Sequence, residues 1–186
     1  MLRNEYTFGS DPELFIFNSK TKKVISAIDK IPGYKDDPYT EGLPEGFGLQ
    51  TDNILAEFNI PPVNNVDDFI HHIEFMKDFI KAKVKELDEN FDILCQASSK
   101  VPTKELKHPQ AREFGCDVDA FVGIPSIIYD TDSERRKLYG KAGCFRLTKY
   151  GFEYRTLSSY WIANPSRLRF IWNQLMYALY AYERAY

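Results

Sequence analysis

Between Val66 and Leu87 apolar residues return at helical spacing, at Val66, Phe69, Ile70, Ile73, Met76, Ile80, Val84 and Leu87. Asn65 is placed to cap the N-terminus, and Asp67 and Asp68 sit in the first turn, where the helix dipole favours negative charge. A helix of this length with one apolar face must lay that face on another layer, and the segments on either side supply one. Ile54-Leu55-Ala56-Glu57-Phe58-Asn59-Ile60 precedes it, and Phe91 to Ala97 follows, each with the composition of a strand. The pattern predicts a helix packed on a sheet, an α+β arrangement.

Further strands are expected upstream. Tyr6 to Phe17, interrupted by Gly9-Ser10-Asp11-Pro12, reads as strand, irregular turn and strand, with Lys22 to Ala27 as hairpin partner. Ile31 to Leu49 holds three prolines and four glycines and reads as a surface loop able to approach a ligand. Downstream, a polar connector is expected through His108-Pro109 to Phe114-Gly115-Cys116-Asp117. A broken helix follows around Phe121 to Tyr129, a strand over Phe152 to Leu157, and a closing aromatic helix from Pro165. The tyrosines and tryptophan of that helix, Trp172, Tyr177, Tyr180, Tyr182 and Tyr186, read as a packing face.

With 186 residues, 44% hydrophobic and 27% charged, the chain suits one domain, 1–186, with one core. A net charge of −3 supports neither nucleic-acid nor anionic-membrane binding, and no run reaches the roughly 18 to 20 apolar residues of a spanning helix. Cys95, Cys116 and Cys144 are odd in number and lack CxxC spacing, which fits a reducing cytoplasm, and Cys116 reads as a quiet buried thiol rather than a nucleophile. His71 and His72 point apart on the helix and read as exposed, while His108 has no readable role.

Three acids stand in apolar, strand-like settings: Glu13, Glu57 and Glu153. Burying a carboxylate is costly unless it is paired or bound to a cation, so the three suggest a shared acidic cavity of hard oxygen ligands suited to magnesium or manganese. The plain alternative is that each lies on the solvent face of its strand. A second group, Ser133 to Arg146, brings Arg135, Arg136, Lys137, Lys141 and Arg146 close to Gly140 and Gly143, and could grip phosphate or form a solvated basic turn. It lacks P-loop spacing. Glu153 and Arg155 point the same way on a strand, either as acid beside guanidinium in a site or as a surface ion pair.

In order along the chain, Gly9-Ser10-Asp11-Pro12-Glu13, Ile31-Pro32-Gly33, Gln50-Thr51-Asp52-Asn53 and Glu57-Phe58-Asn59-Ile60-Pro61 resemble the phage-encoded carboxylate-amine ligases, type 2, of the glutamine synthetase and glutamate-cysteine ligase superfamily. The resemblance continues through Phe114-Gly115-Cys116-Asp117, Arg135 to Arg146 and Glu153-Tyr154-Arg155-Thr156-Leu157-Ser158. It implies a curved antiparallel sheet with packed helices, here incomplete. It also implies ATP and Mg2+ (or Mn2+) as cofactors and Glu13, Glu57 and Glu153 as metal ligands. Arg135, Lys141 and Arg155 are implied as catalytic, Arg136, Lys141 and Arg146 as nucleotide contacts, and Asp52, Asn53 and Asn59 as the substrate side. The family's His-x-His segment is absent, and Asp117-Val118-Asp119-Ala120 runs straight into Phe121-Val122-Gly123-Ile124-Pro125-Ser126, which implies a deletion between about 120 and 121.

The favoured reading is an ATP- and magnesium-dependent ligase that joins a small-molecule or peptide carboxylate to an amine through an acyl phosphate, in the cytoplasm (the host's, if phage-encoded). The missing segment leaves open whether the chain is an active enzyme. The alternative is a catalytically inactive remnant that acts as a phage binding or assembly protein. In either case an exposed sheet edge at the deletion would favour a homo-oligomer.

Overall fold

The computed structural model describes residues 6–95, 109–130, 133–138, 141–148 and 151–185. The chain forms two compact units: residues 6–97 with 162–165, and residues 1–5 and 98–161 with 166–186.

The first unit is a helix on an antiparallel sheet. Its strands are β1 (Phe8–Ser10), β2 (Glu13–Asn18), β3 (Lys23–Ile25), β4 (Gly48–Asp52), β5 (Leu55–Val63) and, after helix α1 (Val66–Leu87), β6 (Phe91–Leu94). β5 is the hub. It pairs with β4 from Leu55 to Asn59, with β2 at Ala56 and Glu57, and with β1 at Ile60 and Val63. β2 in turn pairs with β3 and β6.

Alternation along the strands sorts the faces. Leu14 and Ile16 of β2 and Ala56, Phe58 and Ile60 of β5 are buried, as are Phe69, Ile73, Met76, Ile80 and Val84 of α1, which packs against β5 and β6. Each fully buried Leu, Ile, Phe or Met contributes about 1.5–3 kcal/mol relative to exposure, so this seam carries most of the unit's stability. The opposite face of the same strands carries Glu13, Gln50, Asp52, Glu57 and Asn59. A strand running through a core therefore also presents a row of polar groups, because its side chains alternate.

Two features of this unit differ from expectation. β5 runs on through Pro61 and Pro62, which read as its boundary. β4 has ended its pairing by Asn59, so only β1 lines the last residues and the missing proline N–H groups are tolerated there. Gly48 and Leu49, expected in the loop, belong to β4. Its polar, glycine-containing sequence carries no strand pattern, and its identity comes from five consecutive pairings with β5.

The second unit opens with α2 (Pro109–Val118), which passes through a π-helical turn, Asp119–Gly123, into α3 (Ile124–Ser126). The expected connector over Phe114 to Asp117 is thus helical. Phe114, Val118, Phe121 and Val122 fall on one stripe and pack with Ile171 and Ala178 of α5 (Pro165–Ala185), and tertiary burial overrides the polar flanks. Cys116 lies off that stripe and is exposed rather than buried. The break expected around Phe121 to Tyr129 is not a break at Gly123 or Pro125: the backbone stays helical there, the irregularity being the π turn, which contains the junction of Ala120 and Phe121. Ahead of α5 come α4 (Ser133–Leu138), the hairpin β7 (Phe145–Thr148) and β8 (Gly151–Tyr154), and a short 3-10 turn, Ser159–Ile162. β8 stops three residues short of the strand expected to Leu157.

The aromatic face of α5 is largely a packing face. Trp172 is buried and Tyr182 meets Phe114 edge-on at 5.3 Å between centroids, whereas Tyr177 is exposed. Tyr186, the His108 position and the end of the Phe91–Ala97 strand lie outside the described residues. Among the described residues no helix is long and apolar enough to cross a membrane.

Asn65 caps α1 as its sequence suggests: its Oδ1 accepts from the Asp68 N–H at 2.9 Å and its Nδ2 donates to the Asp68 carboxylate at 2.6 Å. Asn65→Ala is expected to lower stability by about 1 kcal/mol, read as a shift in the urea midpoint with unchanged m-value.

Candidate functional site

The register of three strands sets the site. Glu13 on β2 stands opposite Glu57 on β5, and Gln50 on β4 stands opposite Glu57 from the other side. Asp52 lies two residues beyond Gln50 on the same face. Glu13, Asp52 and Glu57 each present a carboxylate oxygen, and these atoms all lie within 4.8 Å of one another. Asn59 follows Glu57 on the same face of β5.

Glu57 is the centre of this group. It is 8% exposed, and Gln50, itself 5% exposed, donates from Nε2 to Glu57 Oε1 at 2.6 Å. Burial raises the Glu57 carboxyl to about 7, with the charges of Asp11, Glu13 and Asp52 adding to the rise and Lys35 opposing it. A desolvated carboxylate among like charges favours a proton or a cation as its neutraliser. Three close carboxylates of this kind are the donor set that a hard divalent cation takes, so these residues fit magnesium or manganese on their chemistry.

The remaining residues named from sequence fall as follows. Asn53 sits in the tight turn between β4 and β5 with φ +53°, a left-handed conformation that Asn tolerates, and its Nδ2 donates to Asp52 Oδ1 at 3.1 Å. Glu153 belongs to the second unit. Its Oε2 accepts from Arg146 Nε at 2.7 Å and its Oε1 lies 3.0 Å from Arg155 Nε, so one carboxylate holds two guanidiniums. The plain ion-pair reading of Glu153 and Arg155 is thus part of what is observed, with Arg146 added from β7. Arg136 donates to the Asp130 carbonyl at 2.5 Å. Lys141 is exposed, and its carbonyl accepts from Thr156 Oγ1 at 2.9 Å. Arg135 lies in α4, and its side chain is outside the described residues.

Of the three glutamates, then, the structure brings Glu13 and Glu57 together, and the third acid at that place is Asp52. Two residues that act on Glu57 were not assigned to the site from sequence. Gln50 carries no ionisable group, and only the register with Glu57 reveals it. Lys35 stands in a loop that has no periodic pattern. A signal for Gln50 did exist: Gln50 and Asp52 are two apart, the spacing of one strand face, but that spacing is informative only once β4 is known to be a strand. His72, expected to be exposed, is half-buried with its ring edge-on to Phe47 at 4.9 Å.

The fold and site together define an α+β protein with a carboxylate cluster centred on the buried Glu57 of an antiparallel sheet. Residues 111–183 match the model of the family described as Phage phiEco32-like COOH.NH2 ligase-type 2, so that stretch, rather less than half of the chain, is similar to a carboxylate-amine ligase. No curated protein matches the chain.

Because burial pushes the Glu57 carboxyl up to about 7 from its ordinary value of 4.5, the folded protein holds a proton between these values that the unfolded chain has released. The folded state binds more protons between these values, so the contribution is full below about pH 4.5 and is lost as pH rises through about 7. Glu57→Gln is expected to flatten the fall in melting temperature between pH 5 and pH 8 and to melt above the unsubstituted protein at pH 8 without divalent cations. Melting curves across that range check it.

Proposed function

We propose that the protein is an ATP- and Mg2+- (or Mn2+-) dependent ligase that joins a carboxylate to an amine by way of an acyl phosphate. The observation that carries this reading is the convergence of Glu13, Asp52 and Glu57, with Glu57 desolvated and Gln50 fixing one of its oxygens. The similarity of residues 111–183 to a ligase family supports the reaction class.

In this reading Glu13, Asp52 and Glu57 hold the cation, which when bound offsets negative charge on phosphate oxygens and so eases phosphoryl transfer. Gln50 keeps Glu57 in one orientation, the role of a hydrogen-bond partner behind a metal-binding carboxylate. Asn59 and the Asp52–Asn53 turn belong to the substrate side. Within the second unit, Glu153 pairs with both Arg146 and Arg155, a group of guanidiniums whose chemistry suits oxyanions. The reaction balances simply. A substrate carboxylate oxygen attacks the terminal phosphorus of ATP and ADP leaves. The amine nitrogen then attacks the acyl carbon, the C–O bond to phosphate breaks, and the nitrogen gives up a proton as the amide forms. Small-molecule and peptide carboxylates and amines are the substrate classes.

At pH 7.5, Mg2+ or Mn2+ with ATP is expected to raise the melting temperature, a ligand at a hundred times its Kd being worth about 2.7 kcal/mol. The Glu13→Gln, Glu57→Gln double variant is expected to lose that gain. With hydroxylamine as the amine, ADP release and hydroxamate formation from a panel of carboxylates report the chemistry. Absence of any divalent-cation stabilisation at millimolar concentration, with the double variant indistinguishable from the unsubstituted chain, overturns the reading.

A further inference from the structure

The loop between β3 and β4 has no regular structure, yet it is pinned at several points to β4. The Thr51 N–H donates to the Gly33 carbonyl at 3.0 Å, and Tyr39 and Leu49 exchange backbone bonds at 2.8 and 3.0 Å. Gly33 has φ +88°, and a Cβ there would stand 2.2 Å from the Leu49 carbonyl oxygen and 2.6 Å from the Tyr39 nitrogen, so the backbone is pressed against the strand. Tyr34 and Asp37 exchange reciprocal N–H···O bonds, each 3.0 Å, which closes a turn with Lys35 and Asp36 at its tip. Tyr34 also forms a parallel bridge with Thr51, the residue between Gln50 and Asp52. The turn that carries Lys35 is therefore held beside the end of β4 that supplies Gln50 and Asp52.

We infer that Lys35, presented by this pinned turn beside β4, is the contact that receives the negatively charged phosphate group of the substrate at the Glu13–Asp52–Glu57 site. The inference rests on the ligase reading and adds to it the residue that matches the substrate's charge. A site of carboxylates alone would repel a polyphosphate, and a cation held on its rim lets the anion approach while staying clear of the metal-binding oxygens. Lys35 is exposed, which suits a side chain that meets a ligand from solvent. Asp36 and Asp37 in the same turn are the nearby acids of the loop itself.

One positive charge at the rim of the site has opposite effects on a cationic and an anionic ligand, and this separates a ligand contact from a structural role. In Lys35→Ala, the affinity for Mn2+ alone is expected to rise roughly fivefold, because a like charge has gone. The affinity for ATP at saturating Mg2+ is expected to fall by a similar factor, because an opposite charge has gone. Mn2+ affinity is read from the electron-spin signal of the free ion and ATP affinity from titration calorimetry. Lys35→Arg is expected to restore both. If the unsubstituted protein binds Mn2+ but Lys35→Ala moves both affinities the same way, or neither, the role of Lys35 is overturned while the ligase reading stands. If the unsubstituted protein binds no Mn2+, the ligase reading itself fails and takes this inference with it.

Discussion

The carboxyl of Glu57 is buried between two strands that each bring another polar group against it, and the rest of the site depends on that burial. In water Glu57, Glu13 and Asp52 would be ordinary ionised acids with modest mutual repulsion. Desolvation changes the balance, since it penalises the charged form and strengthens every interaction among the neighbours. What makes the burial tolerable is the bond from Gln50, a neutral donor that satisfies one oxygen without neutralising the charge. Glu57 thereby holds a proton more readily than it would in water.

The position of Glu57 follows from β5 being bordered on both sides. Its odd residues face the acids while Ala56, Phe58 and Ile60 are buried against the layer that includes α1. A change that shifted β5 by one residue would drive the acids into the apolar seam and the apolar residues onto the polar face, so the hydrophobic pattern that stabilises the unit also holds the site in register. Strand alternation thus ties stability and chemistry together on one nine-residue segment.

The second unit uses a different device. Tyr154 on β8 donates to Asp119 Oδ1 at 2.5 Å in the π turn, and Gly123 leaves room for the phenol, since a Cβ there would meet the Tyr154 oxygen at 2.3 Å. Burial and this hydrogen bond hold the phenol protonated well above its usual range. The bond ties the strand bearing Glu153 to the π turn, while Phe145 stacks on Phe152 and Phe114 meets Phe152 edge-on. A π turn at this place orients the Asp119 side chain toward a strand rather than along the helix stripe. Arg146 on the hairpin and Arg155 just after it are therefore carried by a segment anchored to the π turn through Tyr154.

Long-period patterns were legible in the sequence because they are written in one element at a time. The α1 helix, its Asn65 cap, the β2–β3 hairpin, the β5 strand and the start of α5 at Pro165 each follow from local spacing and cap chemistry. So did the unusual standing of Glu13, Glu57 and Glu153 as acids in apolar surroundings. What the sequence could not contain was pairing. β4 became a strand only by bonding to β5, α2 became a helix only by burying Phe114 and Val118, and Asp52 joined Glu13 and Glu57 because three strands aligned. Gln50 and Lys35 belong to the same class, being a neutral side chain and a loop cation whose partners are distant in the chain. Residue chemistry and periodicity are local properties, whereas desolvation, hydrogen-bond partnership and summed charge depend on what else occupies the surrounding few ångströms, and only the tertiary structure decides that.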